Sequence, residues 1–270
     1  MSHPVAFCGC PYPTGSPAYL CLAMLTVFRH CQKLMKTISF FSAKGGTGKT
    51  TFNLLLASWL RYKQGKRVAV LDMDGPEYSL SYTRKREEKY LLEHGVTLPE
   101  GWLYPICELP FGSMAEKQEA LKRHASFARE SDYVILDFGG SFGQGDPVLE
   151  FVRRGLIDLV AIPVELDGMI VSSGKALAMV LGQLGQKSLL FFNKVHGREK
   201  PELYAELELW LGEAGLSVSR SKIKNTVKLR RDSDNGSNFL RSTVGFPEKE
   251  ILEVNPALVR LFEEVSGHGT

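Results

Sequence analysis

Ten consecutive residues, Ser42-Ala43-Lys44-Gly45-Gly46-Thr47-Gly48-Lys49-Thr50-Thr51, constrain this chain more than any other stretch. An apolar run, Thr37 to Phe41, precedes them and reads as a buried strand. An apolar periodic segment follows and predicts a helix from about Lys49 to Lys63, stopping near Gly65. Strand, glycine loop and helix, in that order, form the setting of a phosphate-binding loop. The glycines let successive backbone N–H groups turn inward around phosphate oxygens, and the helix N-terminus adds partial positive charge there. On this reading Gly45, Gly46, Thr47, Gly48, Lys49, Thr50 and Thr51 hold the phosphates of a nucleotide. Lys49 can reach the terminal phosphates, and the Thr50 hydroxyl can ligate Mg²⁺. A surface turn rich in glycine and lysine would need neither the strand before it nor the helix after it.

Acidic residues recur at the ends of the other apolar runs. Arg67 to Asp72 reads as a second strand and ends in Asp72-Met73-Asp74. Asp132 to Asp137 reads as another, followed by the glycine-rich run Phe138 to Gly145. In a doubly wound sheet the carboxyl ends of the strands meet the ligand. Asp72 and Asp137 can therefore hold the Mg²⁺ hydration shell, and Asp74 can orient an attacking water; a plain turn is the alternative for the first pair. Leu156 to Val164 and Ser188 to Phe192 predict two further strands, with a helix from Asp167 to Gly185 between them. Helices are also expected over Tyr78–His94, Met114–Glu130 and Pro256–Val265, and a possible strand over Trp102–Cys107. The charges of Arg84-Lys85-Arg86-Glu87-Glu88-Lys89 read as a solvated helix face. At least six strands alternating with helices imply an α/β fold: a doubly wound, mainly parallel sheet flanked by helices, in one domain from residue 35 to 270.

The loop departs from G-x-x-x-x-G-K-[ST] at its first position, Ala43, and carries a second lysine, Lys44. The form K-G-G-x-G-K-T resembles the deviant Walker A loop of ParA/MinD-type ATPases. That resemblance implies a P-loop NTPase fold, ATP and Mg²⁺ as ligands, hydrolysis to ADP and phosphate, and a homodimer formed with ATP. It implies for Lys44 a reach across the dimer interface to the partner's nucleotide, which makes Lys44, Lys49 and Asp74 the expected catalytic residues. It implies for Asn193, after the last strand, a contact with the adenine edge; capping the strand end is the alternative. The chain has Glu77 where the family often has Gln, and Phe138-Gly139-Gly140 after the acid where the family has proline. Phe192 to Glu199, Leu203-Tyr204, Leu240-Arg241-Ser242-Thr243 and Phe246-Pro247 narrow the resemblance to the ParA-like ATPases of conjugative transposons.

Net charge is only +3, so overall charge does not mark a nucleic-acid binder and local clustering must. Arg220 to Arg231 contains no acid, and Arg220, Lys222, Lys224, Lys228, Arg230 and Arg231 are the candidate DNA contacts. Arg84-Lys85-Arg86 is a weaker second candidate. ParA-type proteins bind nonspecific DNA through this carboxyl-terminal region, which the resemblance extends to nucleoid association with ATP and to a ParB-like or conjugation-related partner. The expected role is partitioning or transfer of a mobile element; a MinD-like or protein-directed positioning ATPase without DNA binding is the alternative. Membrane recruitment is disfavoured, because the last helix has Glu263 and Glu264 against Arg260 alone. An iron-protein relative would need bridging cysteines, and none follows Cys107.

Residues 1–34 differ from the rest, with four of the five cysteines and a short apolar run, Ala18 to Phe28. The run is too short to span a bilayer, and no Lys or Arg precedes it as in a signal peptide. Cys8, Cys10, Cys21 and Cys31 match no common zinc spacing. The expectation is a disordered extension or a translation start at Met35; the single cysteine that remains then fits a reducing cytoplasm.

Overall fold

Strands buried on both faces read as near-continuous apolar runs, and such runs form the centre of the sheet. In the computed structural model, which describes residues 35–109, 130–140, 147–226 and 241–267, six such segments pair in parallel. They are β1 (Lys36–Phe40), β2 (Val68–Met73), β3 (Ile106–Glu108), β4 (Tyr133–Phe138), β5 (Leu159–Val164) and β6 (Ser188–Phe192). Their order across the sheet is β3-β2-β4-β1-β5-β6. The chain therefore moves outward from β1 in one direction, returns to insert β4, and leaves in the other. The crevice at the carboxyl ends of the central strands is where such sheets receive ligands.

Helices cover both faces. Helix α1 (Lys49–Tyr62) lies on one face with the last helix, α7 (Ala257–Ser266). Phe52, Leu55, Leu56, Trp59 and Leu60 of α1 join Ile38, Phe40, Val70 and Ile135 of the sheet, with Leu258, Leu261 and Phe262 of α7. The opposite face takes Val134, Leu136, Ile162 and Val164, the neighbours in sequence that the pleat turns the other way. It is covered by α3 (Pro147–Arg153), α4 (Gly168–Gln183) and α5 (Pro201–Glu213). Helix α4 starts on Asp167, whose Oδ1 accepts from the N–H groups of Met169 and Ile170, both at 3.0 Å. Gly174 lets α4 lie close on β5: a Cβ there would fall 2.4 Å from Val164 Cγ1.

Helix α2 (Ser79–Glu93) and the short α6 (Glu248–Val254) complete the elements among the described residues. After α5, residues 217–225 run beside β6 without forming a regular strand. Leu190 N–H donates to Ser217 O at 2.9 Å, and Ile223 N–H to Phe192 O at 2.8 Å. The first half of the acid-free stretch is thus a sheet edge with Ile223 buried beneath it.

The solvated face expected over Arg84 to Lys89 is corrected at Arg84 and Glu87. Arg84 and Glu87 are each only 8% exposed. Arg84 Nε donates to Thr243 Oγ1 at 2.8 Å, Nη2 to Thr243 O at 2.9 Å and Nη1 to Tyr104 O at 2.9 Å. Glu87 Oε2 accepts from Thr243 N–H at 2.9 Å and from the Thr243 hydroxyl. Tyr62 OH and Trp102 Nε1 donate to the carbonyls of Thr243 and Val244, at 2.8 and 2.9 Å. Thr243 enters a socket between α1, α2 and the loop before β3, so Arg84 is structural and unavailable to DNA. The possible strand at Trp102–Cys107 begins later, at Ile106, because Trp102 and Tyr104 serve this socket. Expected features at residues 1–34, 114–129 and 141–145 lie outside the described residues.

Candidate nucleotide-binding site

The loop between β1 and α1 is shaped by two left-handed glycines, Gly46 at φ 74° and Gly48 at φ 95°, the latter capping α1. A side chain at either would be strained. The two lysines of the loop differ in setting. Lys49, in the first turn of α1, is 8% exposed and its Nζ lies 3.4 Å from Lys44 O. Ala43, Lys44, Gly45 and Gly46 are exposed. Ser42 Oγ accepts from Lys44 N–H at 3.2 Å, and Thr47, wholly buried, places its hydroxyl 3.4 Å from Lys44 O. Thr50 and Thr51 are half-buried at the helix start.

Asp72 and Asp137 are direct neighbours across β2 and β4, in register, and both are fully buried. Each has one oxygen engaged and one without a partner. Asp72 Oδ2 accepts from Ser81 N–H at 3.0 Å, at the start of α2, while Asp72 Oδ1 is unpaired. Asp137 Oδ1 accepts from Asn53 Nδ2 at 2.7 Å and lies 3.4 Å from Thr50 Oγ1, while Asp137 Oδ2 is unpaired. Burial raises the pKa of both. For Asp137 it outweighs the Asn53 hydrogen bond, and with the nearby Asp72 charge the carboxyl reaches about 7. Two buried carboxyl oxygens without partners, beside a threonine hydroxyl, are the chemistry a hydrated divalent cation satisfies. The donor set of Thr50, Asp72 and Asp137 therefore fits Mg²⁺. Among the described residues no cluster of three or more His, Cys, Asp or Glu placed to hold a metal ion occurs, so the protein ligands here are two carboxylates and one hydroxyl.

Asp74 follows β2 and is half-buried. Its Oδ1 would be 2.9 Å from a Cβ on Gly139, and Lys49 Nζ would be 3.0 Å from one on Gly140. The two glycines after Asp137 thus let Asp74 and Lys49 approach the same backbone. Proline at this point, the family's usual residue, is absent, and glycine supplies the room.

Asn193 sits at the end of β6 and is only 6% exposed. Its Nδ2 donates to Thr47 O at 2.8 Å, and its Oδ1 accepts from Lys194 N–H at 2.8 Å. The amide expected at the adenine edge thus braces the loop. Asn53 was not singled out in the sequence: its Oδ1 accepts from Phe40 N–H at 2.9 Å while its Nδ2 holds Asp137. A lone amide in the apolar run Phe52-Asn53-Leu54-Leu55, one turn after Lys49, was the available signal. Glu165 and Lys194, described below, gave none.

Of the candidate DNA contacts, Arg220 and Lys224 are exposed, and Lys222 Nζ pairs with Glu208 at 2.5 Å. Lys228, Arg230 and Arg231 lie outside the described residues. Among the described residues no helix is long and apolar enough to cross a membrane.

The profile of the CobQ/CobB/MinD/ParA nucleotide binding domain matches residues 38–239, most of the chain. The chain belongs to this family. No curated protein matches it. Solved structures share its fold at low identity. The MinD of an Aquifex aeolicus MinC:MinD cell division complex aligns with a TM-score of 0.59 at 17% identity, over 86% of this chain and 96% of that one. MinD from Pyrococcus horikoshii, complexed with Mg-ADP, gives 0.53 at 18%, over 86% and 96%. A Borrelia burgdorferi protein assigned to plasmid partition, bound to AMPPNP, gives 0.54 at 18%, over 86% and 99%. The family is one of nucleotide-binding ATPases, and the six-stranded parallel sheet with its phosphate loop is the ParA/MinD fold.

Proposed function

We propose that this chain is an ATP-dependent dimeric switch that binds DNA nonspecifically and serves partitioning or conjugative transfer of a mobile element. The observation that carries the reading is the contrast between the loop lysines: Lys49 is buried in the first turn of α1 and Lys44 is exposed. An exposed second lysine is available to act on a nucleotide held by a second copy. The structural likeness to a plasmid partition protein holding an ATP analogue supports the biological direction.

In this reading Gly45 to Thr51 bind the phosphates through backbone N–H groups, and Lys49 neutralises the terminal phosphates. Thr50, Asp72 and Asp137 would hold Mg²⁺, which supplies charge neutralisation at the phosphates when bound. Asp74, beside Gly139, orients the attacking water. Asn53 keeps the Asp137 carboxylate aimed into the site. Asp72 also caps α2 through Ser81, so a change at the carboxylates reaches the helix that grips Thr243. Turnover by the chain alone is slow, because such switches await a partner to complete the site.

Arg220 and Lys224, with Lys228, Arg230 and Arg231, are the proposed DNA contacts, while Lys222 is discounted by its pair with Glu208. The test is binding of an arbitrary duplex with ATP, with ADP and without nucleotide, at two salt concentrations. Binding only with ATP, weakened by salt and lost in Lys44→Ala, is expected. Equal binding in all three states removes the switch. Absence of binding in every state selects the alternative, a MinD-like positioning ATPase directed to protein.

A further inference from the structure

Two neighbouring residues at the end of β6 hold two neighbouring carbonyls of the phosphate loop. Asn193 Nδ2 donates to Thr47 O at 2.8 Å, and Lys194 Nζ donates to Gly46 O at 2.7 Å. Lys194 is itself held by Glu165, just past β5, through a 2.5 Å ion pair in which both side chains are about three-quarters buried. Lys194 has φ 55°, left-handed for a residue with a side chain, and its N–H is fixed by Asn193 Oδ1. L-residues adopt that conformation at a cost, and here the surrounding bonds hold it.

A trans peptide is planar, so its C=O and N–H point in opposite directions. The peptide whose carbonyl meets Lys194 carries the Thr47 N–H. The peptide whose carbonyl meets Asn193 carries the Gly48 N–H. Both N–H groups are thereby turned away from the end of β6. Among the described hydrogen bonds neither has an acceptor. The geometry points to a latch: Glu165 and Lys194 are positioning residues that, with Asn193, fix the Gly46 and Thr47 peptides so that two donors face an incoming phosphate. This inference deepens the nucleotide reading above and rests on it. Fixing donors before the ligand arrives removes reorganisation from the binding step.

A bare positive charge near the phosphates is the competing role for Lys194, and Glu165→Gln separates the two. If charge alone acts, removing the opposing carboxylate strengthens phosphate binding. If the latch acts, Lys194 loses its anchor and phosphate binding weakens.

The experiment measures binding of a fluorescent ADP with Mg²⁺, and its competition by inorganic pyrophosphate, on the full chain and on Lys194→Ala, Lys194→Arg and Glu165→Gln. Lys194→Ala and Glu165→Gln are expected to weaken ADP about tenfold, the scale of one charged hydrogen bond. Pyrophosphate should weaken by the same factor, since the effect is confined to the phosphates. Lys194→Arg, which keeps a donor and the charge, should restore most of the loss. Melting of the nucleotide-free variants reports folding separately, and Lys194→Arg and Glu165→Gln keep the test open if the alanine variant folds poorly. Tighter ADP binding in Glu165→Gln, or unchanged binding in Lys194→Ala, overturns the latch and leaves the nucleotide reading standing. Wild-type protein that binds neither ADP nor pyrophosphate overturns both.

Discussion

Thr243→Val isolates the socket that ties the carboxyl-terminal segment to α2. Valine keeps the shape of threonine and deletes one hydroxyl. That hydroxyl donates to Glu87 and accepts from Arg84 Nε at 2.8 Å, and both partners are 8% exposed. A hydrogen bond to a charged group contributes about 1.5–3 kcal/mol, and two are lost. The partners keep other bonds: Glu87 still receives Thr243 N–H, and Arg84 still reaches the carbonyls of Tyr104 and Thr243. The low end of the range therefore applies, about 3 kcal/mol in total. In a domain of this size each kcal/mol moves Tm by about 2–4 °C, so a fall of roughly 6–12 °C is expected. Thermal melting by circular dichroism reads it directly. Glu87→Gln combined with Thr243→Val should cost less than the sum of the single changes, because they share a bond. A fall below about 2 °C for Thr243→Val would refute the socket as a stabilising contact.

Three further outcomes follow from the site. Asp137 has a folded pKa near 7 against an ordinary value of 3.8. Its native state holds the proton more tightly, so its stabilisation is complete below the ordinary value and is lost as pH rises through about 7. Urea unfolding of nucleotide-free protein should lose stability between about pH 4 and 7, on the order of a few kcal/mol at most, and Asp137→Asn should flatten that dependence; an identical slope in the variant refutes it. Gly140→Ala sets a Cβ 3.0 Å from Lys49 Nζ, so turnover should fall about tenfold or more while Tm moves little; unchanged turnover in a steady-state phosphate assay would show that Lys49 yields freely. Gly174→Ala drives a methyl to 2.4 Å from Val164 Cγ1 and should cost about 1–3 kcal/mol by denaturant unfolding, against no loss if α4 can shift.

The parts of this fold legible in the sequence are those whose signal is local. Ser188–Phe192 is a continuous apolar run and forms β6 with those limits. Glycine and lysine spacing alone marks the loop, because the backbone needs glycine at Gly46 and Gly48 to turn. Asp72 and Asp137 announce themselves as acids ending apolar runs. What escaped is long-range. Arg84 sits among charges and reads as solvated, yet Thr243, 159 residues away, buries it. Lys194 is 148 residues from the Gly46 carbonyl it holds, and no spacing rule links them. The Asn193 bond to the loop backbone is equally long-range, since only the sheet order brings β6 next to the loop.

The central claim is that Lys44 makes the site of one copy depend on another. Sedimentation velocity of the wild-type chain and of Lys44→Ala, each with Mg²⁺ and a non-hydrolysable ATP analogue, with ADP, or without nucleotide, tests it most directly. The account predicts a dimer for the wild type with the ATP analogue alone, and a monomer for Lys44→Ala in every state, although the variant still binds ADP. A wild type that stays monomeric with the analogue, or a Lys44→Ala variant that dimerises as well as the wild type, would contradict it.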